Sequence, residues 1–356
     1  MASRALAPST AELKLTQIAS FERMRCLAWS GDVLYASRGY ELFRISVRDR
    51  EQGQRVGDYH APSTRRFSSR FHLGSRLMRD GFHALAVLLS GDLIAAVPGA
   101  ILRLAPGESE FKVTHQVQRG SRPLHFAAAP NGNVFWGEYF DNRKREEVYI
   151  YGSSDRGESW DVAYVFARRG IRHVHNIVYD RWDDRFWVLT GDEGRECRIM
   201  RASTDFKDVD VVLCSGQQTR AAALTISKEA VFFSSDSPHE PNHIYRLDRR
   251  GNLASVAEIS SSSIYACRAG SGIFFSTMAE PSIVNVQNEV NVYGSFDGWQ
   301  WTEQLHWHKD PWPMRYFQYG NAFLPDGENE SDLLAVSTLG VNGAQGELSL
   351  WRVQSS

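Results

Sequence analysis

From Met24 to the C-terminus the chain runs in short stretches of alternating apolar and polar residues, separated by clusters of Gly, Asp, Asn and Ser. The pattern is clearest in RHVHNIVYDRWDDRFWVLTGD, Arg172 to Asp192. Its two halves, His173–Tyr179 and Phe186–Thr190, each alternate at period two around the polar turn Asp183-Asp184. Period two sends successive side chains to opposite faces, so each half reads as a strand, and two strands about a tight polar turn predict a β-hairpin.

The same hairpin recurs. Units begin near Met24, Phe82, Leu124, Val174, Thr219, Ile264 and Tyr316, at a mean spacing of about fifty residues. A third strand follows most of them, as in Glu41–Val47, Ala100–Ala105 and Glu147–Ser153, and several add a weaker fourth such as Trp160–Phe166. A four-stranded antiparallel unit of this length cannot bury both faces alone, and a ring of such units can. The expectation is an all-β, single-domain, seven-bladed β-propeller spanning 1–356 with four-stranded blades. The last unit has only three strands, and Leu13–Ile18 precedes the first. That N-terminal strand is expected to complete the last blade and cover its open edge. No segment has a convincing helical period.

Two connections exceed ordinary loop lengths. Asp58–Gly81 carries Arg65, Arg66, Arg70, Arg76 and Arg79 with His60 and His72, and Trp299–Arg315 carries Trp299, Trp301, Trp307 and Trp312 with His306 and His308. Composition adds exclusions. A hydrophobic fraction of 42% with 12% aromatic residues supplies a core. Lys+Arg 40 against Asp+Glu 42 gives no overall pull toward nucleic acid or a membrane surface. Cys26, Cys197, Cys214 and Cys267 form no CxxC pair, against a disulfide framework or zinc knuckle. The N-terminal stretch lacks an apolar run of signal-peptide length, so a cytoplasmic location is the expectation, with other export routes left open. No strand–GxGxxG–helix, Walker or nucleophile-elbow motif occurs, so no nucleotide cofactor is expected.

The octet SSDRGESW, Ser153 to Trp160, resembles the Asp-box (BNR repeat) of sialidase-like β-propellers, with Ser153, Asp155, Gly157 and Trp160 at its defining positions. Ser203-Thr204-Asp205 and Ser295-Phe296-Asp297-Gly298 with Trp301 are weaker echoes. The resemblance implies a structural turn between third and fourth strands, the Asp bonding backbone amides and the Trp packing into the blade. Sialidase activity is not implied, because a Phe-Arg-Ile-Pro stretch and an evident arginine trio are missing. In unit count and axial histidines the chain is similar to the propeller polysaccharide lyases of oligogalacturonate and ulvan type, a likeness of architecture and residue types.

In such a ring, first-strand starts and second-strand ends open on one face. The starts contribute Cys26, His83, His125, His173 or His175, Arg220 and Tyr265, with Tyr316 or Tyr319 in the last unit. The ends contribute Arg38, Glu138 with Tyr139, Asp192, Asp236 and Glu280. Ionisable groups crowded at one register are costly to desolvate unless paired or liganded, which makes this opening the candidate site. Three chemistries fit it. β-Elimination from a uronate-containing oligo- or polysaccharide needs a cation for the carboxylate (Arg220, aided by Arg65 and Arg66), a base (His125 or His175) and an acid (Tyr139 or Tyr265). A divalent metal (Mn, Fe, Zn or Ca) on His83, His125 and His175, with Glu138 or Asp192, is the second, and it can take over the clamping role. Glycoside hydrolysis by a carboxylate pair from Glu138, Asp192, Asp236 and Glu280 is the third. Arg38, Asp236, Glu280, Trp307 and Trp312 are the further substrate-binding candidates, the tryptophans as stacking surfaces or as packing for a long loop. A non-catalytic propeller binding a glycan or protein stays open beside these.

Overall fold

The computed structural model describes residues 12–47 and 53–355. Residues 1–11, which hold most of the N-terminal stretch read for a leader, lie outside them. No helix among the described residues is long and apolar enough to cross a membrane.

The chain is all-β in its sheets, but it does not form seven separate blades. Five blades stand apart, built from residues 25–46 with 54–58, 84–116, 127–166, 173–213 and 221–259, each with four strands in chain order. The last two units are instead one curled eight-stranded sheet. The join is made by Gly272–Ala279, whose eight residues are all buried. Its first part pairs with Ser263–Ala269 and Glu289–Ser295, and its end continues onto Gly320–Phe323 through Met278↔Asn321 and Ala279↔Gly320. Ala279 and Gly320 at this crossing let the backbones meet. A Cβ on Gly320 would lie 3.1 Å from Val290 Cγ2 and 3.2 Å from Gly340 O. Buried N–H and C=O groups at the end of a long strand need partners, and here each unit supplies the other's.

Leu13–Glu22 pairs antiparallel with Glu347–Ser355 from Leu13↔Ser355 to Glu22↔Glu347. It is therefore the outer strand of the eight-stranded sheet rather than of an independent seventh blade. Adjacent sheets pack through successive buried clusters. One joins Leu27 and Leu42 to Leu85 and Leu102, another Phe135 and Ile150 to Ile177 and Phe186, and the ring closes where Cys26 and Leu34 meet Phe323 and Leu348.

Three elements depart from plain alternation. The long loop after the first blade folds into two short helices, Ser63–Ser68 and His72–Met78, and a third helix, Met314–Phe317, takes the start of the last unit, whose first strand is only Gly320–Phe323. Asp326–Asn329 leaves its own sheet and pairs in parallel with Ala28–Gly31, giving the first blade a fifth strand on its axial side. Inner strands carry a β-bulge near their starts, between Cys26 and Ala28, Val174 and Asn176, Ala221 and Ala223, and Ser263 and Tyr265. Each bulge re-aims the residues before it, which are the ones at the mouth of the ring.

The Asp-box-like turns close hairpins at the other end. Ser153 Oγ donates to Asp155 Oδ1 (2.7 Å) and accepts from Gly157 N (2.8 Å), while Ser159 N donates to Asp155 (3.0 Å). These bonds to Asp155 hold its carboxyl at about 2 against opposing burial. Trp160 Nε1 donates to Thr114 Oγ1 (3.1 Å), tying the turn to the neighbouring blade. The same Ser–Asp bond recurs at Ser203–Asp205 and Ser295–Asp297.

Candidate functional site

The mouth is best built outward from Asp192. Gly191 precedes it with φ +144°, and a Cβ there would stand 2.7 Å from Cys197 Cα, so only glycine permits the turn that folds Asp192 back over its own blade. The carboxylate lies 3.4 Å from His173 Nε2 and 3.3 Å from His175 Nε2. Arg172 Nη1 (3.0 Å) and Arg220 Nη2 (3.4 Å) flank it. Although burial opposes its ionisation, bonds to His173 and His175 hold its carboxyl well below the usual range.

The two imidazoles are locked from behind. His173 Nδ1 lies 3.0 Å from Phe140 O and His175 Nδ1 2.8 Å from Ala221 O. A carbonyl only accepts, so both Nδ1 atoms carry hydrogen, and the two Nε2 atoms face inward, 3.0 Å apart, where a bond to the other ring or to Asp192 requires a proton on one of them. Burial lowers the pKa of His175 although Asp192 opposes the shift. Two lone pairs and a carboxylate converging in a buried space call for a shared cation, a proton or a metal ion. His173, His175 and Asp192 form the one group of three metal-ligand side chains that comes together among the described residues, with donor atoms within 4.8 Å of one another. Nitrogen and oxygen donors of this kind suit Mn, Fe or Zn. His83 and His125 are not part of it.

Tyr139 leans against this pair, its ring centroid 4.2 Å from that of His173 with the two planes tilted by 38°. Withdrawal from water, then the charges of Asp236 and Asp192, push its hydroxyl up to about 12. Asp236 lies 3.6 Å from Arg220 Nη2, and burial, opposed by Arg220, pushes its carboxyl up to about 7. Glu280 is raised by burial as well, although Arg220 and a bond to Tyr319 oppose it. Arg220 thus stands among three carboxyl groups.

The opposite side of the mouth is cationic. Arg25 Nη1 donates to His83 Nδ1 (3.1 Å), and the guanidinium lies 3.9 Å over the Phe323 ring. His83 Nε2 bonds Arg79 O at 2.8 Å, so both ring nitrogens are used. Burial first, then the charges of Arg122 and Arg25, hold His83 neutral. Desolvation and the charge of Arg25 push Arg122 down to about 10, with Arg79 adding to the effect and Tyr265 and Tyr139 opposing it. Arg25 Nε and Arg122 Nε are buried without a partner. No ion pair reaches Arg25, Arg79 or Arg122 among the described residues. Arg79 holds φ +53° as the left-handed C-cap that ends the helix His72–Met78.

The remaining sequence candidates lie elsewhere. Glu138 turns away from the mouth, in a forked pair with Arg119 and accepting from Tyr149 N (2.9 Å). His125 pairs with Asp326 (2.9 Å) deeper in the axis, near Tyr265. Arg38 bonds Glu22 O (3.4 Å), Arg65 pairs with Asp80 (3.0 Å), and Arg66 lies exposed on the first short helix. Trp307 sits on the outer strand Thr302–His308, packed on the core, and Trp312 is on the rim beside Phe317. Cys26 is buried, bonding Phe323 O.

The residues the sequence did not single out are Arg25, Arg122 and Arg172. Arg25 was passed over for Cys26, one position on. The bulge that follows is what turns Arg25 to the axis, and a bulge has no mark in a period-two pattern. Arg122 lies in the connection before its strand, and the only signal for it was an arginine ahead of the aligned His125.

Comparisons of sequence find no family model and no curated protein that match. Comparisons of structure do find relatives in shape. A chain of a mitotic checkpoint complex aligns with TM-score 0.56 at 9% identity, over 99% of this chain and 96% of that one. The WD40 β-propeller domain of Doa1 aligns with TM-score 0.53 at 11% identity, over 96% of each. A chain of a nidogen/laminin complex aligns with TM-score 0.51 at 12% identity, over 84% of this chain and 99% of that one. At such identities the likeness speaks for fold alone, and the fold is that of a β-propeller.

Proposed function

We propose that this protein is an enzyme of acid–base chemistry that cleaves a uronate-containing oligo- or polysaccharide by β-elimination at the axial mouth. The observation that carries the reading is the pairing of an uncompensated guanidinium group, Arg25, Arg79 and Arg122, with a locked imidazole pair and a high-pKa phenol across the same opening.

Each step has a residue suited to it. The arginines neutralise the uronate carboxylate, which acidifies the proton at C5. An Nε2 lone pair of His173 or His175 takes that proton. The electrons freed form the C4–C5 double bond as the C4–O bond breaks, and the Tyr139 hydroxyl protonates the departing oxygen. A phenol pushed up to about 12 stays protonated at neutral pH, as this role requires. A divalent metal held by His173, His175 and Asp192 would supply one more cation for the carboxylate. It would also engage the Nε2 lone pairs, so a resident metal and an imidazole base are alternatives, and elemental analysis of the purified protein separates them.

A second reading, glycoside hydrolysis, is favoured by one observation. Arg220 touches both Asp192, held well below the usual range, and Asp236, pushed up to about 7. Two carboxyls with pKa values driven apart are the pattern of an acid and a charged partner. Incubation with a panel of uronate glycans decides between the readings. Ultraviolet absorbance from an unsaturated product supports elimination, new reducing ends without that absorbance support hydrolysis, and binding without turnover leaves a glycan-binding propeller.

A further inference from the structure

The apolar side chains left exposed are not scattered. Phe67 (64% exposed), Phe71, Leu77 and Met78 protrude from the two short helices, with the Phe67 and Phe71 rings 5.1 Å apart. Trp312 and Tyr316 protrude from the connection that holds the third helix, and Ile283 and Val286 (78% and 77% exposed) from the loop before Glu289–Ser295. All three segments connect strand ends on the face of the ring that carries the mouth. Two are riveted together, because the buried Arg76 pairs with Asp310 and donates through Nε to Phe317 O (2.9 Å), while Gln318 donates to Arg76 O (2.8 Å). The result is a preformed apolar arc along one side of the opening.

Its charge is equally one-sided. Residues 59–79, 281–288 and 311–325 contain six arginines and not one Asp or Glu. Carboxylates stand immediately outside every one of these bounds, at Asp58, Asp80, Glu280, Glu289, Asp310 and Asp326, so the excess of arginine belongs to the protruding segments themselves and not to their surroundings. Arg76 and Arg65 are paired with Asp310 and Asp80, whereas Arg66, Arg70 and Arg315 have no carboxylate partner among the described residues. A second copy of the same surface would oppose cation to cation. Exposed Phe, Leu, Trp and Tyr interleaved with arginine match a bilayer interface, where aromatic rings sit at headgroup level and basic residues meet anionic lipid.

We infer that this arc is a membrane-docking surface for an anionic lipid bilayer, and that docking turns the mouth toward the headgroup layer. The inference is independent of the reaction proposed above. Its test is co-sedimentation of the full chain with vesicles of phosphatidylcholine alone and of phosphatidylcholine mixed with phosphatidylglycerol. The expected result is sedimentation with the anionic vesicles only, released by salt. Phe67→Ser with Phe71→Ser, and separately Arg66→Glu with Arg70→Glu, should each weaken it about tenfold or more while thermal unfolding stays that of the parent. Failure of the parent chain to bind anionic vesicles at low salt overturns the inference, whatever the variants do. So does equal binding by parent and variants, or a concentration-dependent dimer that both pairs of substitutions abolish.

Discussion

On one side of the mouth Arg220 sits among Asp192, Asp236 and Glu280; on the other, Arg25, Arg79 and Arg122 face one another with only a neutral imidazole and two phenols between them. The acidic side balances itself, and its internal pairings set which groups hold protons. The basic side is left incomplete, since like charges gathered without a counter-charge cost free energy that a bound anion would recover. One region therefore reads as reaction machinery and the other as a receptor for the substrate's charge.

That contrast can be broken in four ways. The largest effect is expected from Tyr139→Phe, which removes the proposed acid and should lower kcat on a uronate oligosaccharide by about 10²–10⁴ with binding retained. A variant that binds poorly but turns over normally would move Tyr139 from chemistry to recognition. Next, Arg122→Gln should raise KM for the anionic substrate by about 10–100-fold, the loss of one charge-assisted contact, and leave a neutral glycan analogue's affinity unchanged. Equal losses for charged and neutral ligands would show a packing role instead.

The third concerns Asp236. With its folded pKa at about 7 and the unfolded value near 3.8, the native state holds the extra proton between those limits, so this group makes stability fall as pH rises from 4 to 7. Asp236→Asn should remove that fall, raising the melting temperature above the parent's by roughly 5 °C at pH 8 while the two coincide near pH 4. Identical pH profiles would show that Arg220 keeps Asp236 charged. The smallest effect is expected from Asp155→Ala on the opposite face, a drop of about 1–2 °C in melting temperature with kcat and KM untouched.

How much of this was legible in the sequence depends on range. His175, Asp192, Arg220 and Asp236 could be placed at one opening because period-two alternation and turn residues locate strand ends. The helices Ser63–Ser68 and His72–Met78 could not, since each is under three turns, too short to establish a period, and Gly74 interrupts the second. The separate blades failed at Met278↔Asn321, a pairing between two units that no period-two pattern within either one can show. Glu138 failed for another reason. Its register was right, but Arg119, nineteen residues earlier, claims it. Parity misled at Cys26, where a bulge hands the axial position to Arg25.

The pairing of Leu13–Glu22 with Glu347–Ser355 has a kinetic meaning. Most sheets can assemble from chain already synthesised, yet the seam that closes the circle joins segments more than three hundred positions apart. The chain must be synthesised through Ser355 before this pairing can form, and until then the first strand waits with an unsatisfied edge. Whatever guards that edge during translation governs how much of the product reaches its final form.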